Sequence, residues 1–369
     1  MMLIGILIVV FAFALAFANG ANDNSKGVAT LIGGGILSSK RAVLFAGLAT
    51  LLGSVAAIWY GAELASKFKG KGIVDAAILS SALFPLCVAI ASSTTVLLAT
   101  RIGMPISTTH ALVGSIIGIG LAGNGLNWNA VWSKFFYPLL AAPLTAVGVS
   151  IVAYAIFRKI RINMGITDQT CLCLGEVDHP VAINHDGTAS FTETGLELTL
   201  DQKSNCVRRY EGDVFGIDAQ AIVNRLHLLS AGAISFARGL NDTPKIAALL
   251  IGLSFLTDRN AVALVGAGIL AGGLLMVRRV SQTMSSGITT MNDGQAFSAN
   301  LTTAFLVIFA SRWGLPVSTT HVTCGSLFGI GLLTKQGDSK VIGSIVLAWI
   351  TTLPIAGVIG ALCWVLFTR

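Results

Sequence analysis

Seven apolar runs recur along this 369-residue chain: Met1–Ala18, Ala42–Tyr60, Ala76–Ala99, Ala130–Phe157, Ala261–Val277, Thr302–Ala310 and Val341–Phe367. Several approach or exceed the roughly 20 residues that a helix needs to cross about 30 Å of hydrocarbon. No other feature constrains the fold as much. In a bilayer every backbone N–H and C=O must be satisfied internally, which a chain built from such runs achieves as helices. Charged residues make up 11% of the chain, against about 25% in soluble domains, too few to coat a soluble core of this size. A cleaved signal peptide is the competing reading of Met1–Ala18. No basic residues precede its apolar core, and the later runs need membrane insertion in any case, so a retained span is expected.

The net charge of +7 does not point to nucleic acid. Lys and Arg are scattered singly or in short groups between apolar runs, with no basic stripe interleaved with aromatics. Loops at a membrane surface look like this, so the lipid bilayer is the expected partner. The 41 glycines suit close packing of membrane helices. Cys87, Cys324 and Cys363 lie in apolar segments and read as small core residues. The six cysteines do not read as a disulfide framework. A zinc site from Cys171, Cys173, His179, His185 and Cys206 is disfavoured, because Cys-x-Cys is not a usual zinc spacing. No resident metal or cofactor is expected.

Compared with itself, the chain shows an internal duplication. Gly20-Ala21-Asn22-Asp23-Asn24-Ser25-Lys26 returns as Gly239-Leu240-Asn241-Asp242-Thr243-Pro244-Lys245, 219 residues on. Met104-Pro105-Ile106-Ser107-Thr108-Thr109-His110 returns as Leu315-Pro316-Val317-Ser318-Thr319-Thr320-His321, 211 residues on. Gly114-Ser115 then matches Gly325-Ser326, and Gly118-Ile119-Gly120 matches Gly329-Ile330-Gly331. Two polar motifs repeated in the same order define two related halves.

Between the halves the composition changes. Residues 158–218 hold ten of the 17 acidic residues and little sustained hydrophobicity. Thr188–Thr194 and Gly195–Leu200 alternate polar and apolar residues, which predicts short strands. The expected division is a membrane repeat over 1–157, a polar insert over 158–220 and a second membrane repeat over 221–369. Arg158, Lys159 and Arg161 directly follow an apolar span and favour a cytoplasmic insert in a multi-pass cell-membrane (inner or plasma membrane) protein. Both termini outside, with an odd number of crossings per half, satisfies these charges and makes the halves inverted repeats. The expected fold is thus an all-α integral membrane protein of two inverted-topology repeats. Broken or half helices meet near the bilayer midplane, among roughly 10–12 membrane segments.

Asn22-Asp23 and Asn241-Asp242 each stand between two apolar runs. A carboxylate at that depth costs about 3 kcal/mol unless it is paired. Either pair could N-cap the helix that follows. Occurring twice at matching places, they suit a small hard cation such as sodium, with Asp supplying anionic and Asn neutral oxygen. Lys26 and Lys245 follow three residues later and offer a local salt bridge as the competing role. Glu63 and Gln282 occupy equivalent places and join the sodium candidates, although Glu63 could equally be interfacial, near Lys67-Phe68-Lys69-Gly70-Lys71.

Pro105 and Pro316 break the preceding runs, so Ser107, Thr108, Thr109 and Ser318, Thr319, Thr320 fall at helix starts. Free N–H groups there, with the positive end of the helix dipole and consecutive hydroxyls, favour an anion. Ordinary capping needs one hydroxyl; here three stand in a row, twice. Asn22 and Asn241 are candidates for the same anion. His110 and His321 read as histidines bonded to a neighbouring helix, with gating or proton coupling as the alternative. Ser92-Ser93-Thr94-Thr95 and Thr302-Thr303 either line a pathway or bond between helices. No nucleophile–base pair, P-loop or dinucleotide fingerprint occurs, so no enzyme is expected.

The doubled Gly-Ala-Asn-Asp/Gly-Leu-Asn-Asp and Pro-x-Ser-Thr-Thr-His motifs resemble the inorganic phosphate transporter family, over about 300 residues of both halves. The resemblance implies symport of inorganic phosphate with sodium or protons, through inverted repeats and in a homodimer. By position, Asn22, Asp23, Asn241 and Asp242 match the family's signature. Two departures stand out. Where the family often shows Val-Ala-Asn after the Asp, this chain has Asn24-Ser25-Lys26 and Thr243-Pro244-Lys245, and where relatives carry two Glu residues it has Glu63 and Gln282. The expected function is sodium-driven phosphate symport by alternating access, with sodium as the coupling ion. Proton-coupled phosphate, metal-phosphate or sulfate transport is the alternative; a passive channel or a receptor would differ by failing to concentrate phosphate.

Overall fold

The computed structural model of the chain describes residues 2–33, 35–167, 169–183, 189–202, 215–276, 280 and 291–369. The chain forms two compact units, one of Met1–Tyr154 with Leu228–Arg369 and one of Ala155–His227.

Helices dominate. The first half runs α1 (Met2–Asp23), α2 (Ala29–Gly33), α3 (Ser39–Tyr60), α4 (Ala62–Phe68), α5 (Ala76–Leu79), α6 (Leu83–Arg101), α7 (Thr108–Ala122), α8 (Trp128–Val131) and α9 (Tyr137–Asn163). The second half runs α10 (Ala219–Ala247), α11 (Asp258–Leu275), α12 (Asp293–Arg312), α13 (Thr319–Thr334) and α14 (Ser339–Thr368). The long helices α1, α3, α6, α7 and α9 thus recur in order as α10 to α14, at the offsets of the duplicated motifs. Among the described residues, Met2–Asp23, Ser39–Tyr60, Leu83–Arg101, Trp128–Asn163, Asp258–Leu275 and Ser339–Thr368 are long and apolar enough to cross a membrane. The apolar α7 is shorter, because Gly103, in the left-handed region at φ +77°, and Pro105 separate it from α6.

Glycines set how the halves meet. Gly20 on α1 lies against the backbone of Ile269 on α11, and Gly272 on α11 lies against Phe17 on α1. The equivalent pairs lie between α10 and α3: Gly239 against Thr50, and Gly53 against Phe236. A Cβ at any of the four would overlap a carbonyl oxygen of its neighbour. These contacts are reciprocal, as across a two-fold interface. Each half packs its first helix on the second long helix of the other. Gly114 and Gly118 of α7 likewise face Leu353 and Gly357 of α14, while Gly325 and Gly329 of α13 face Pro143 and Val147 of α9. Small residues let backbones approach where lipid offers no hydrophobic drive to association.

In the second unit, β1 (Thr170–Ile183) pairs antiparallel with both β2 (Ala189–Gln202) and β3 (Phe215–Asp218), in the order β2-β1-β3. The two short strands expected around Gly195 are one continuous strand. Glycine weakens a strand locally, but Gly195 is carried through by its pairing with Val177. Cys173 is disulfide-bonded, a link that the cysteine spacing does not announce, while Cys171 is buried. His185 and Cys206 lie outside the described residues.

Candidate functional site

Both signature motifs meet in one buried polar cluster. Asp23 is the last residue of α1, because the Asn24-Ser25-Lys26-Gly27 that follows forms only a 3₁₀ turn. Asp242 lies inside α10, whose last turn contains Pro244. Neither carboxylate therefore N-caps a following helix, contrary to that reading. Both sit at or near helix C-termini, where the dipole disfavours negative charge, and each needs a cation. Lys26 and Lys245 supply it: Lys26 Nζ pairs with Asp23 Oδ1, and Lys245 Nζ lies 3.3 Å from Asp242 Oδ1. Asp23, Lys26, Asp242 and Lys245 are all buried, none more than 3% exposed.

The serine–threonine motifs open α7 and α13 as expected. Ser107 and Ser318 are the N-caps, accepting from His110 N at 3.1 Å and His321 N at 3.3 Å. The threonines turn to Asn19, a carboxylate and the lysines. Thr108 Oγ1 accepts from Asn19 Nδ2 at 2.9 Å, and Thr319 Oγ1 donates to Asp242 Oδ2 at 3.4 Å. Thr109 Oγ1 accepts from Lys245 Nζ at 2.9 Å, and Thr320 Oγ1 from Lys26 Nζ at 2.6 Å. Each lysine thus bonds a threonine of the opposite half.

Asn22 and Asn241 hold the extended segments that precede these helices. Asn22 Nδ2 donates to Thr100 Oγ1 at 3.1 Å and Met104 O at 2.9 Å, and its Oδ1 accepts from Ile106 N at 3.1 Å. Asn241 Nδ2 donates to Asp242 Oδ1 at 3.0 Å and Val317 O at 3.3 Å, while its Oδ1 accepts from Ser311 Oγ at 3.1 Å. An amide has two N–H donors, so neither asparagine has one to spare for a phosphate oxygen in this arrangement.

Glu63 stands apart from the cluster. It is exposed in the first turn of α4, with its carboxyl group against Gly314. Helix α4 begins directly after α3 and carries Glu63 away from Asp23, which the repeat alignment does not reveal. Gln282 lies outside the described residues.

The motifs alone missed two residues. Asn19, one helical turn before Asp23, donates from Nδ2 to Asp23 Oδ2 at 3.3 Å and Asp242 Oδ2 at 3.2 Å. Arg238, at Asn19's equivalent position, bonds Asn24 Oδ1 at 2.9 Å and Thr50 Oγ1 at 2.7 Å, and its Nε and Nη1 are buried without a hydrogen-bond partner among the described residues. The available signal was a polar residue four before each Asp inside an apolar stretch. With all five ionised, Asp23, Asp242, Lys26, Lys245 and Arg238 leave the buried cluster one positive charge in excess.

His110 and His321 pack ring to ring, centroids 4.3 Å apart and nearly perpendicular. Their Nδ1 atoms lie 3.1 Å from Trp349 O and 3.5 Å from Leu139 O. These are bonds to neighbouring helices. Ser92 Oγ meets Ser115 Oγ at 3.0 Å, and Thr303 Oγ1 meets Ser326 Oγ at 3.0 Å, so these polar runs bond between helices in matching pairs.

The profile of the phosphate transporter family matches residues 19–360, which include both copies of each motif. A Pyrococcus horikoshii protein named as a phosphate permease is 27% identical over 405 residues, spanning 97% of this chain and 96% of that one. The Arabidopsis thaliana protein named inorganic phosphate transporter 2-1, chloroplastic, is 27% identical over 430 residues, spanning 97% of this chain and 71% of its own. A solved structure described as the sodium-dependent phosphate transporter matches with a TM-score of 0.75 at 22% identity, over 99% of both chains, a likeness of fold. These relatives are named as transporters, not enzymes. With its duplicated helices and doubled motifs, this multi-pass membrane chain belongs to the phosphate transporter family.

Proposed function

We propose that this chain carries inorganic phosphate across the cell membrane by alternating access, through the cluster where α1, α7, α10 and α13 meet. The observation that carries this is the excess positive charge of a buried cluster that also takes in the starts of two helices. Among the described residues Ser107, Thr108 and Ser318 act only as acceptors, which leaves their O–H groups to donate to an oxyanion. Arg238 adds its unpartnered N–H groups. The cluster is shut off from solvent, so an anion reaches it only when helices move, and inverted halves with reciprocal contacts provide two equivalent ways to open.

Two coupling ions fit this scheme. Sodium suits the oxygen-rich donors Asp23, Asp242, Asn22 and Asn241. Protons suit a cluster whose own ammonium groups already balance its carboxylates, and the contacts of Lys26 and Lys245 favour this second reading. Arg158, Lys159 and Arg161 favour a cytoplasmic insert with both termini outside, whereas the Cys173 disulfide favours an oxidising side. We read the transporter as a homodimer, as the family resemblance implies.

The test is uptake of labelled phosphate by purified protein in liposomes. Concentrative uptake is expected, competed by unlabelled phosphate and not by sulfate. Equilibration without concentration would identify a channel, and equal competition by sulfate would remove the phosphate assignment.

A further inference from the structure

The surroundings of the two buried lysines match in kind. Lys26 Nζ lies 3.3 Å from Asn22 Oδ1, 3.1 Å from Ile106 O and 2.6 Å from Thr320 Oγ1, and it pairs with Asp23 Oδ1. Lys245 Nζ lies 2.9 Å from Thr109 Oγ1, 3.3 Å from Asp242 Oδ1 and 2.6 Å from Val317 O. Each cage thus combines a carboxylate, a main-chain carbonyl from the extended segment before α7 or α13, and a threonine hydroxyl of the opposite half. Ile106 and Val317, Thr109 and Thr320, and Asp23 and Asp242 are equivalent positions of the duplication. One oxygen set is therefore built twice, and both copies surround a nitrogen.

Carboxylate, carbonyl and hydroxyl oxygens are also what holds a hard monovalent cation at unwound backbone and helix C-termini. An ammonium carries the same single charge and donates three hydrogen bonds into such a set. It differs in one respect: its tether keeps it from leaving with a substrate. A sodium ion entering either cage would displace a buried ammonium from its carboxylate into apolar surroundings, where an unpaired charge is heavily penalised. On the Lys245 side the buried Phe68 ring, whose centroid is 5.8 Å from Nζ, adds a cation–π contact that also holds the ammonium in place. Sodium does not fit these cages as they are filled.

We propose that Lys26 and Lys245 are built-in cations. Their ammonium groups occupy the two equivalent oxygen cages that coupling sodium ions would otherwise take, so phosphate transport by this chain does not require sodium. The inference rests on the reading of the chain as a phosphate transporter and identifies the residues that set its ion requirement.

The full-length protein in liposomes is assayed for labelled phosphate uptake in sodium chloride and in choline chloride, at equal pH and membrane potential. Rates are expected to agree within about twofold, because an ion without differential binding shifts nothing. A loss of about tenfold or more in choline overturns the inference. In parallel, the melting temperature of the detergent-solubilised protein is measured in both salts. The wild-type chain is expected to melt equally in both. Lys26→Ala and Lys245→Ala, with vacated cages, are expected to be stabilised by sodium specifically, since an ion that binds only the native state raises its melting temperature. Sodium-specific stabilisation of the wild type, lost in these variants, overturns the proposal. If the variants do not fold, the wild-type measurements alone decide. A chain that takes up no phosphate in either salt sinks the phosphate reading, while the melting comparison still judges the lysines.

Discussion

The carboxylates of Asp23 and Asp242 share one hydrogen-bond donor: Asn19 Nδ2 lies 3.3 Å from Asp23 Oδ2 and 3.2 Å from Asp242 Oδ2. One amide therefore ties the signature acids of both halves, and through Thr108 it also ties the start of α7. Asn19→Ala leaves two like charges facing each other without that donor. A loss of about 1–3 kcal/mol is expected from the unsatisfied groups, read as a lower melting temperature in detergent. Asn19→Asp adds a third carboxylate and is expected to be worse on both melting and phosphate uptake.

Breaking either buried ion pair is expected to be severe. Asp23→Asn strands the Lys26 ammonium, and Asp242→Asn strands that of Lys245, at about 3–5 kcal/mol each. Removing both partners, as in Asp23→Asn with Lys26→Met, is expected to recover much of that stability without restoring uptake. A double-mutant cycle on melting temperature checks the coupling. Strictly additive losses would show that the pair does not act as a unit.

Reciprocal packing makes a prediction about glycine. Gly20→Ala and Gly239→Ala each drive a Cβ into the backbone of Ile269 or Thr50, which cannot turn aside as a side chain can. Overpacking of about 1–3 kcal/mol is expected at both sites. Gly148→Ala on α9 meets open space and is expected to melt like the wild type. Unequal effects at Gly20 and Gly239 would argue against the equivalence of the two contacts.

His110 and His321 bond to main-chain carbonyls of neighbouring helices and pack edge to face on each other, with His321 also 4.0 Å from the Trp349 ring by centroid. A structural role predicts that His110→Phe lowers the melting temperature by an amount equivalent to about 1 kcal/mol, the worth of one hydrogen bond. The pH profile of phosphate uptake is expected to keep its shape. A profile displaced in this variant would identify the histidine as part of proton movement.

What sequence spacing left unread at the site shares a cause. Glu63 aligns with Gln282 by offset, yet the short α4 that carries Glu63 turns it out to an exposed position. Residue type marked Asn22 as an ion ligand, but not that its amide donors also pin the extended segment around Pro105. Lys26 and Lys245 read from sequence as local partners three residues from an Asp. That pairing is present, but the bonds to Thr320 and Thr109 join positions 294 and 136 residues apart, which no local spacing announces.

Sequence alone determined the properties set by composition and local chemistry. Long uncharged runs must become helices where no water satisfies the backbone, a duplicated motif order must yield two halves, and Pro105 and Pro316 must interrupt helices with Ser107 and Ser318 at the new starts. Tertiary structure decided which half each side chain serves. The reciprocal glycine contacts bring α1 onto α11 and α10 onto α3, and only that exchange lets the lysine of one half bond the threonine of the other. A buried charge is tolerated only where several distant groups converge on it. That convergence belongs to the packed helices rather than to any one of them.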